Sequence, residues 1–322
     1  MRSITFSQAT LEAMREEMER DPNIFVMGED IVRQGGIFGQ FKGLGDLGAK
    51  RVLDTPITET AIIGAGVGAA LAGLRPVVDM HFADFMGVCM DEIFNQMAKI
   101  RYMFGGQTKV PVVVRAPDGY SKGGAAQHSQ SVEAWFVHIP GIQVVSPSNA
   151  ADAKGLLKAA IRSDNPVIYF ENKTLFGVKG EVPEGEILVP IGKAKVTREG
   201  TDLTIVSYSA SHVKCLEAAE TLEKEGISAE VIDLRTLSPI DKDTILTSVE
   251  KTGKLMIVHE AVKQGGLGAE IAAIVAEEGV GYLDAPIVRV AAPFVPVPFA
   301  PTLEELYKIS SNTVVEAAKK LL

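Results

Sequence analysis

At 322 residues, 46% of them hydrophobic and 23% charged, the chain is long enough for two domains and is composed like an ordinary folded protein, not a disordered or fibrous one. A formal net charge of -9 and a pI near 5.2 argue against nucleic acid or an anionic membrane surface as partner, because both favour basic faces. Two cysteines, Cys89 and Cys215, cannot build a disulfide framework and lack metal-type spacing, so both are expected to be buried in a reducing compartment. With no secretion-type N-terminal segment and no apolar run of bilayer length, the expected location is the cytoplasm.

The first element is a helix, from Ser7 to about Arg20, with leucine and methionine at helical spacing and Asp21-Pro22-Asn23 beyond its end. A short buried strand from Ile24 to Met27 delivers Gly28-Glu29-Asp30 to a loop. The glycine-rich GGIFGQFKGL that follows has no periodicity and reads equally as an active-site lip or a plain connector.

The stretch Asp54–Gly73 admits two readings. Gly64, Gly66 and Ala69 match the G-x-G-x-x-G/A spacing of a dinucleotide-binding turn, with Asp79 near the distance of a ribose-binding acid, but only Ala61, Ile62 and Ile63 precede as a strand. The other reading starts a helix at Thr58 or Glu59 and runs it to about Ala72. Its glycines at 64, 66 and 68 then need a packing reason, such as the close approach of another subunit.

Beyond it, strand and helix alternate. Pro76–Met80 reads as a strand, Asp91–Met103 as an amphipathic helix and Val110–Arg115 as a central β-branched strand. The small, polar loop Pro117–Gln130 lies past a strand's carboxyl end, where open parallel sheets bind ligands. Gln143–Ser146 and Val167–Phe170 are further strands flanking a helix over Ala150–Arg162. From Gly180 to Gly200 the pattern dissolves, which sets domains at 1–180 and 201–322 with a linker over 181–200. A second alternating unit follows, with strands at Leu203–Ser207, Ala229–Asp233, Leu255–Val258 and Ile287–Val290 and helices at His212–Lys224, Asp241–Glu250 and Leu267–Glu278. The Pro-rich AAPFVPVPFAP is neither central strand nor helix and is expected to wrap over a partner before a C-terminal helix.

The runs RVLDTPITE, FADF, DFMGVCMDEIFNQMAKIRYMFGG, AAQHSQS and DLRTLSP, in that order, resemble the beta subunit of the thiamine-diphosphate-dependent E1 component of 2-oxo acid dehydrogenase complexes. Within that family the acetoin dehydrogenase branch is nearest, although VKQGGLGAE after Glu260 and Phe294-Val295 depart from its pattern. The resemblance covers the chain from about Thr5 onward. It implies a transketolase-like α/β protein: an N-terminal pyrimidine-binding domain, with a parallel sheet flanked by helices, and a C-terminal transketolase-type domain.

The resemblance further implies that Glu59 hydrogen-bonds the aminopyrimidine of thiamine diphosphate and favours its imino tautomer, a role that suits a carboxylate. Without the TPITE context, a glutamate here would be read only as favourable to a helix dipole. Ile57 and Phe85 correspond to the contacts that hold the pyrimidine. His128 corresponds to the histidine near the reacting centre and the lipoyl entry path, with His81 and His138 as supporting neighbours and His212 and His259 as structural. Backbone oxygens around Val112, Ala160, Ile161, Ser163 and Asn165 correspond to a potassium site. No G-x-S-x-G elbow supports serine-hydrolase chemistry.

The Gly-Asp-Gly motif by which thiamine-diphosphate enzymes hold Mg²⁺ is missing. A second chain must therefore carry Mg²⁺ and the diphosphate, which implies an E1 alpha subunit in an α2β2 heterotetramer, with the lipoyl domain of an E2 acyltransferase as acceptor. The expected activity is cleavage of a C–C bond next to a carbonyl, in acetoin, pyruvate or a branched-chain 2-oxo acid. A nicotinamide-dependent oxidoreductase built on Gly64 and a non-catalytic scaffold are the competing readings.

Overall fold

The computed structural model describes residues 1–121 and 123–322; Lys122, in the Pro117–Gln130 loop, lies outside the described residues. The chain divides into two units, one of residues 1–118 and 135–191 and the other of 119–134 and 192–322. The loop segment 119–134 thus groups with the later part of the chain.

The first unit contains strands β1 (Arg2–Thr5), β2 (Ile24–Gly28), β3 (Val52–Asp54), β4 (Arg75–Asp79), β5 (Val113–Asp118), β6 (Gln143–Val145), β7 (Val167–Asn172) and β8 (Lys179–Val182). Six of them form a parallel sheet in the order β6-β7-β5-β4-β2-β3. Its strands are buried on both faces, which explains the continuous apolar runs of β4, β5 and β7. On one face lie α1 (Phe6–Arg20) and α5 (Ala150–Arg162). Thr5 and Gln8 close a capping box on α1, and the Asn149 side chain accepts from the Asp152 amide to start α5. Where the two helices meet, the nearly buried Lys154 and Lys158 ammoniums reach Glu12, Glu16 and Glu186, so their charges are paired.

Helix α2 (Glu59–Leu71) carries its glycines inside a helix, not in a turn between strand and helix. Strand β3 ends at Asp54 and Asp79 is 1% exposed, so the dinucleotide reading fails on both of its requirements. Gly66 has a packing reason: a Cβ there would sit 2.8 Å from Val78 Cγ1. The opposite side of α2 exposes Ala61, Ala65, Gly68 and Ala72.

Asp91–Met103 is not one α-helix. A 3-10 segment (Ala83–Cys89) runs into a π-helix (Glu92–Met97) and then α3 (Ile100–Met103). Hydrophobic spacing does not distinguish these windings, which differ only in which carbonyl each amide meets. A short α4 (Glu133–Val137) also escaped the sequence pattern.

The second unit has β9 (Lys195–Arg198), β10 (Leu203–Ser207), β11 (Ala229–Asp233), β12 (Thr236–Ser238), β13 (Leu255–Val262) and β14 (Val288–Ala292). Five of these form a sheet ordered β14-β13-β10-β11-β9, parallel except for β9. Its helices are α6 (Ser209–Lys224), α7 (Lys242–Thr252), α8 (Leu267–Glu278), α9 (Pro301–Tyr307) and α10 (Ser311–Leu321). The span read as irregular from Gly180 to Gly200 holds the end of β8 and all of β9. Both are edge strands whose partners, β1 and β11, are remote in sequence, so no local periodicity announces them. Both cysteines are buried and free, and burial pushes each thiol up to about 12. No helix among the described residues is long and apolar enough to cross a membrane.

Candidate active site

Three neighbouring strands, β2, β3 and β4, present their carboxyl ends together, and each is followed by residues that can touch a ligand. After β2 comes Glu29. A Cβ on Gly28 would lie 2.9 Å from Asp79 Cβ, so the chain turns toward Glu29 only because that residue has no side chain. After β3 comes Pro56-Ile57-Thr58, with Ile57 80% exposed, and Glu59 opens α2 in its first turn. After β4 come His81, Phe82 and Phe85. Phe82 meets Phe85 edge-on at 6.3 Å and Phe38 at 5.7 Å, and the Lys173 ammonium lies 5.3 Å from the Phe82 ring centre.

The electrostatics of this rim are unusual for a surface. Burial raises the Glu29 carboxyl above its usual range, and the charges of Glu59 and Asp30 push it further. His81 Nδ1 stands 3.5 Å from Glu29 Oε2, while burial lowers the His81 pKa, so the imidazole tends to stay neutral. The charge of Glu59 thus reaches Glu29 across these strand ends, where Phe38, Phe82 and Phe85 pack together. Carboxyls and aromatic rings at neighbouring strand ends suit a flat, nitrogen-bearing ring better than a phosphate.

Beneath the rim lies a buried charge cluster. Arg115 makes two bonds to Glu171, Nε to Oε2 at 2.8 Å and Nη2 to Oε1 at 2.7 Å, with both side chains fully buried. Its guanidinium also stacks 4.5 Å from the Phe41 ring centre. Asp79 joins the cluster, and burial lifts it to about 7 against the pull of Arg115 and Gln40. Arg115 and Glu171, each charged directly after an apolar run of its strand, were a sign of this pair that periodicity alone passes over.

The other residues singled out from sequence are placed as follows. Glu59, Ile57, Phe85 and His81 belong to this rim in the first unit; His128 is half-buried in the segment 119–134 of the second unit. His138 is exposed just past α4. His212 is buried and hydrogen-bonded to Thr197 and Ser207, and His259 is buried against Tyr208, its pKa lowered by burial to about 4. Four of the carbonyls matched to potassium already accept hydrogen bonds, and at Asn165 it is the side chain that does. Arg75 donates to the carbonyls of Ile161 at 2.9 Å and Ser163 at 2.5 Å, Arg101 reaches the Asn165 side chain, and the Val112 and Ala160 carbonyls accept from the Val167 and Ser163 amides. Among the described residues, no group of three or more His, Cys, Asp or Glu side chains could hold a metal ion.

Comparison with known proteins gives two matches divided near residue 190, the first of them including the segment 119–134. Residues 2–179 match the family described as the transketolase pyrimidine binding domain, and residues 192–314 match the transketolase C-terminal domain. The acetoin:2,6-dichlorophenolindophenol oxidoreductase subunit beta of Cupriavidus necator is 49% identical across 100% of the chain and 98% of that protein. The chain belongs to the transketolase-type E1 beta subunits. Other relatives of this E1 beta chain are the 2-oxoisovalerate dehydrogenase subunit beta of Bacillus subtilis, 47% identical over 100% of the chain and 99% of that protein, and the pyruvate dehydrogenase E1 component subunit beta of Rickettsia felis, 48% identical over 99% and 98%. A solved split-gene transketolase, described as an inactive beta4 tetramer, superposes with a TM-score of 0.83 at 29% identity, covering 99% of the E1 beta chain and 98% of its own.

Proposed function

We propose that this E1 beta chain supplies the pyrimidine half of a thiamine-diphosphate site, in an enzyme that cleaves a C–C bond next to a carbonyl and passes the acyl unit to a lipoyl group on E2. The observation that carries the proposal is the gathering of Glu29, Glu59, Phe82 and Phe85 at three adjoining strand ends, with the charge of Glu59 felt at Glu29. When bound, thiamine diphosphate supplies the electron sink for breaking a bond next to a carbonyl.

Glu59, at the start of α2, holds a proton against the ring nitrogen and so fixes the tautomer. Glu29, its pKa already raised, limits how much negative charge the pair carries. Phe85 and the backbone at Ile57 would hold the pyrimidine ring in place. His128 serves the acyl-acceptor end as a proton donor or as a partner to developing negative charge.

With no Gly-Asp-Gly in the chain, the diphosphate and its Mg²⁺ fall to an E1 alpha subunit, in an α2β2 assembly. The exposed small-residue side of α2 suits close approach of a neighbouring subunit. A potassium ion held by the backbone at Val112, Ala160, Ile161, Ser163 and Asn165 would share the Ile161 and Ser163 carbonyls with Arg75; potassium-dependent melting measures that competition.

The test is co-expression with an alpha-type partner and dye reduction with acetoin, pyruvate and branched-chain 2-oxo acids, which also assigns the substrate. Glu59→Gln should lower kcat by about 10²- to 10⁴-fold, the usual range for losing a proton-transfer group. Unchanged turnover in that variant, or full activity of the lone chain, refutes the proposal.

A further inference from the structure

The segment 119–134 is anchored to the rest of its own unit by acids far along the chain. The Tyr120 amide donates to Glu260 Oε1 at 3.0 Å, and the Tyr120 hydroxyl donates to the Glu260 carbonyl at 3.3 Å. Three residues on, the Gly123 amide donates to Glu304 Oε2 at 3.0 Å. Glu260 projects from β13 and Glu304 from α9, yet they are only 9% and 2% exposed. Burying two carboxylates is expensive unless they accept hydrogen bonds, and each accepts one from a backbone amide of this loop.

The rest of the loop is built to match. The Gly119 amide closes its neck on the Gln130 carbonyl at 3.2 Å. At Gly124 any Cβ would fall 2.1 Å from Ser121 Oγ and 2.6 Å from Ser129 Oγ. Tyr120 stands edge-on to Tyr307 of α9 at 5.7 Å, and Lys308 pairs with Glu304 at 3.1 Å. His128 sits on the return limb of this closed loop, two residues before Gln130.

We propose that Glu260 and Glu304 are positioning residues, whose carboxylates pin the Tyr120 and Gly123 amides and thereby fix where the loop presents His128. The proposal rests on the reading of His128 as a working residue at the acyl-acceptor end. Neither acid is assigned contact with substrate or cofactor; each acts through the loop.

Because the pinned donors are backbone amides, hydrogen exchange reads the bonds directly. In the full chain, Glu304→Ala should speed exchange at Gly123, and Glu260→Ala at Tyr120, each by about 10- to 100-fold, as expected for loss of a bond to a charged acceptor. Glu304→Gln keeps an oxygen acceptor and should fall between. In the complex co-expressed with its alpha partner, Glu304→Ala should lower kcat for acylating a lipoyl domain about tenfold while leaving dye-linked turnover within twofold, and Glu304→Gln should restore most of it. Unchanged exchange overturns the clamp. Faster exchange with undiminished lipoyl acylation, while His128→Ala abolishes it, overturns positioning but leaves the proposed function standing. A silent His128→Ala removes the reading on which the positioning role rests and so overturns it, while the Glu59 assignment keeps its own test.

Discussion

Asp79 lends itself to a quantitative test because its burial is complete and outweighs the pull of Arg115 and Gln40 toward the charged form. Removal from water holds the group at about 7 in the folded chain, against an ordinary 3.8, even with Arg115 nearby to favour the charged form. The folded state therefore binds this proton more tightly than the unfolded chain does. Stability from this group is present in full below about pH 4, declines as pH rises from about 4 to 7, and is flat above. A shift of roughly 3 units at about 1.4 kcal/mol each makes the decline about 4 kcal/mol. Asp79→Asn is nearly isosteric with the protonated acid and cannot ionise. Chemical denaturation of wild type and variant in matched buffers, from pH 4 to 8, isolates the one group, since all other titrations cancel in the difference. The variant should gain on wild type by about 1.4 kcal/mol per pH unit through the window. Parallel profiles would mean that Arg115 keeps Asp79 ionised throughout, and the reasoning from burial would fail.

Other consequences follow from the same structure. Gly66→Ala should destabilise the isolated chain by about 1–3 kcal/mol, since its Cβ meets Val78, whereas Gly68→Ala, with nothing within 4 Å, should stabilise it by up to about 1 kcal/mol through helix propensity. Melting of the two variants side by side checks both signs. Glu171→Gln should cost about 3–5 kcal/mol by stranding the buried Arg115 charge, and the paired replacement Arg115→Met with Glu171→Leu should recover most of it in denaturant titration. Gly68→Leu should leave the lone chain folded yet weaken the assembled complex on sedimentation, if α2 faces a neighbouring subunit; an intact complex would remove α2 from the interface.

Much of the element order was legible because parallel strands covered on both faces must be apolar throughout, as Val77-Val78 and Val113-Val114 are, and helices such as α5 carry apolar positions at their own period. The Thr58–Glu59 start of α2 was legible too, although the dinucleotide spacing at Gly64 imitated another fold until the helix around it was seen. Edge strands were not legible: β8 and β9 owe their conformation to partners distant in sequence.

The acid at Glu59 and the missing Gly-Asp-Gly are properties of residue order, so the chain's text alone carried them. That the charge of Glu59 reaches Glu29, that Asp79 is driven toward neutrality, and that Glu260 and Glu304 meet a loop more than a hundred residues earlier are decided only by folding. Spacing along a chain encodes local geometry, whereas a carboxyl's charge depends on how much water and which neighbours the completed fold leaves around it.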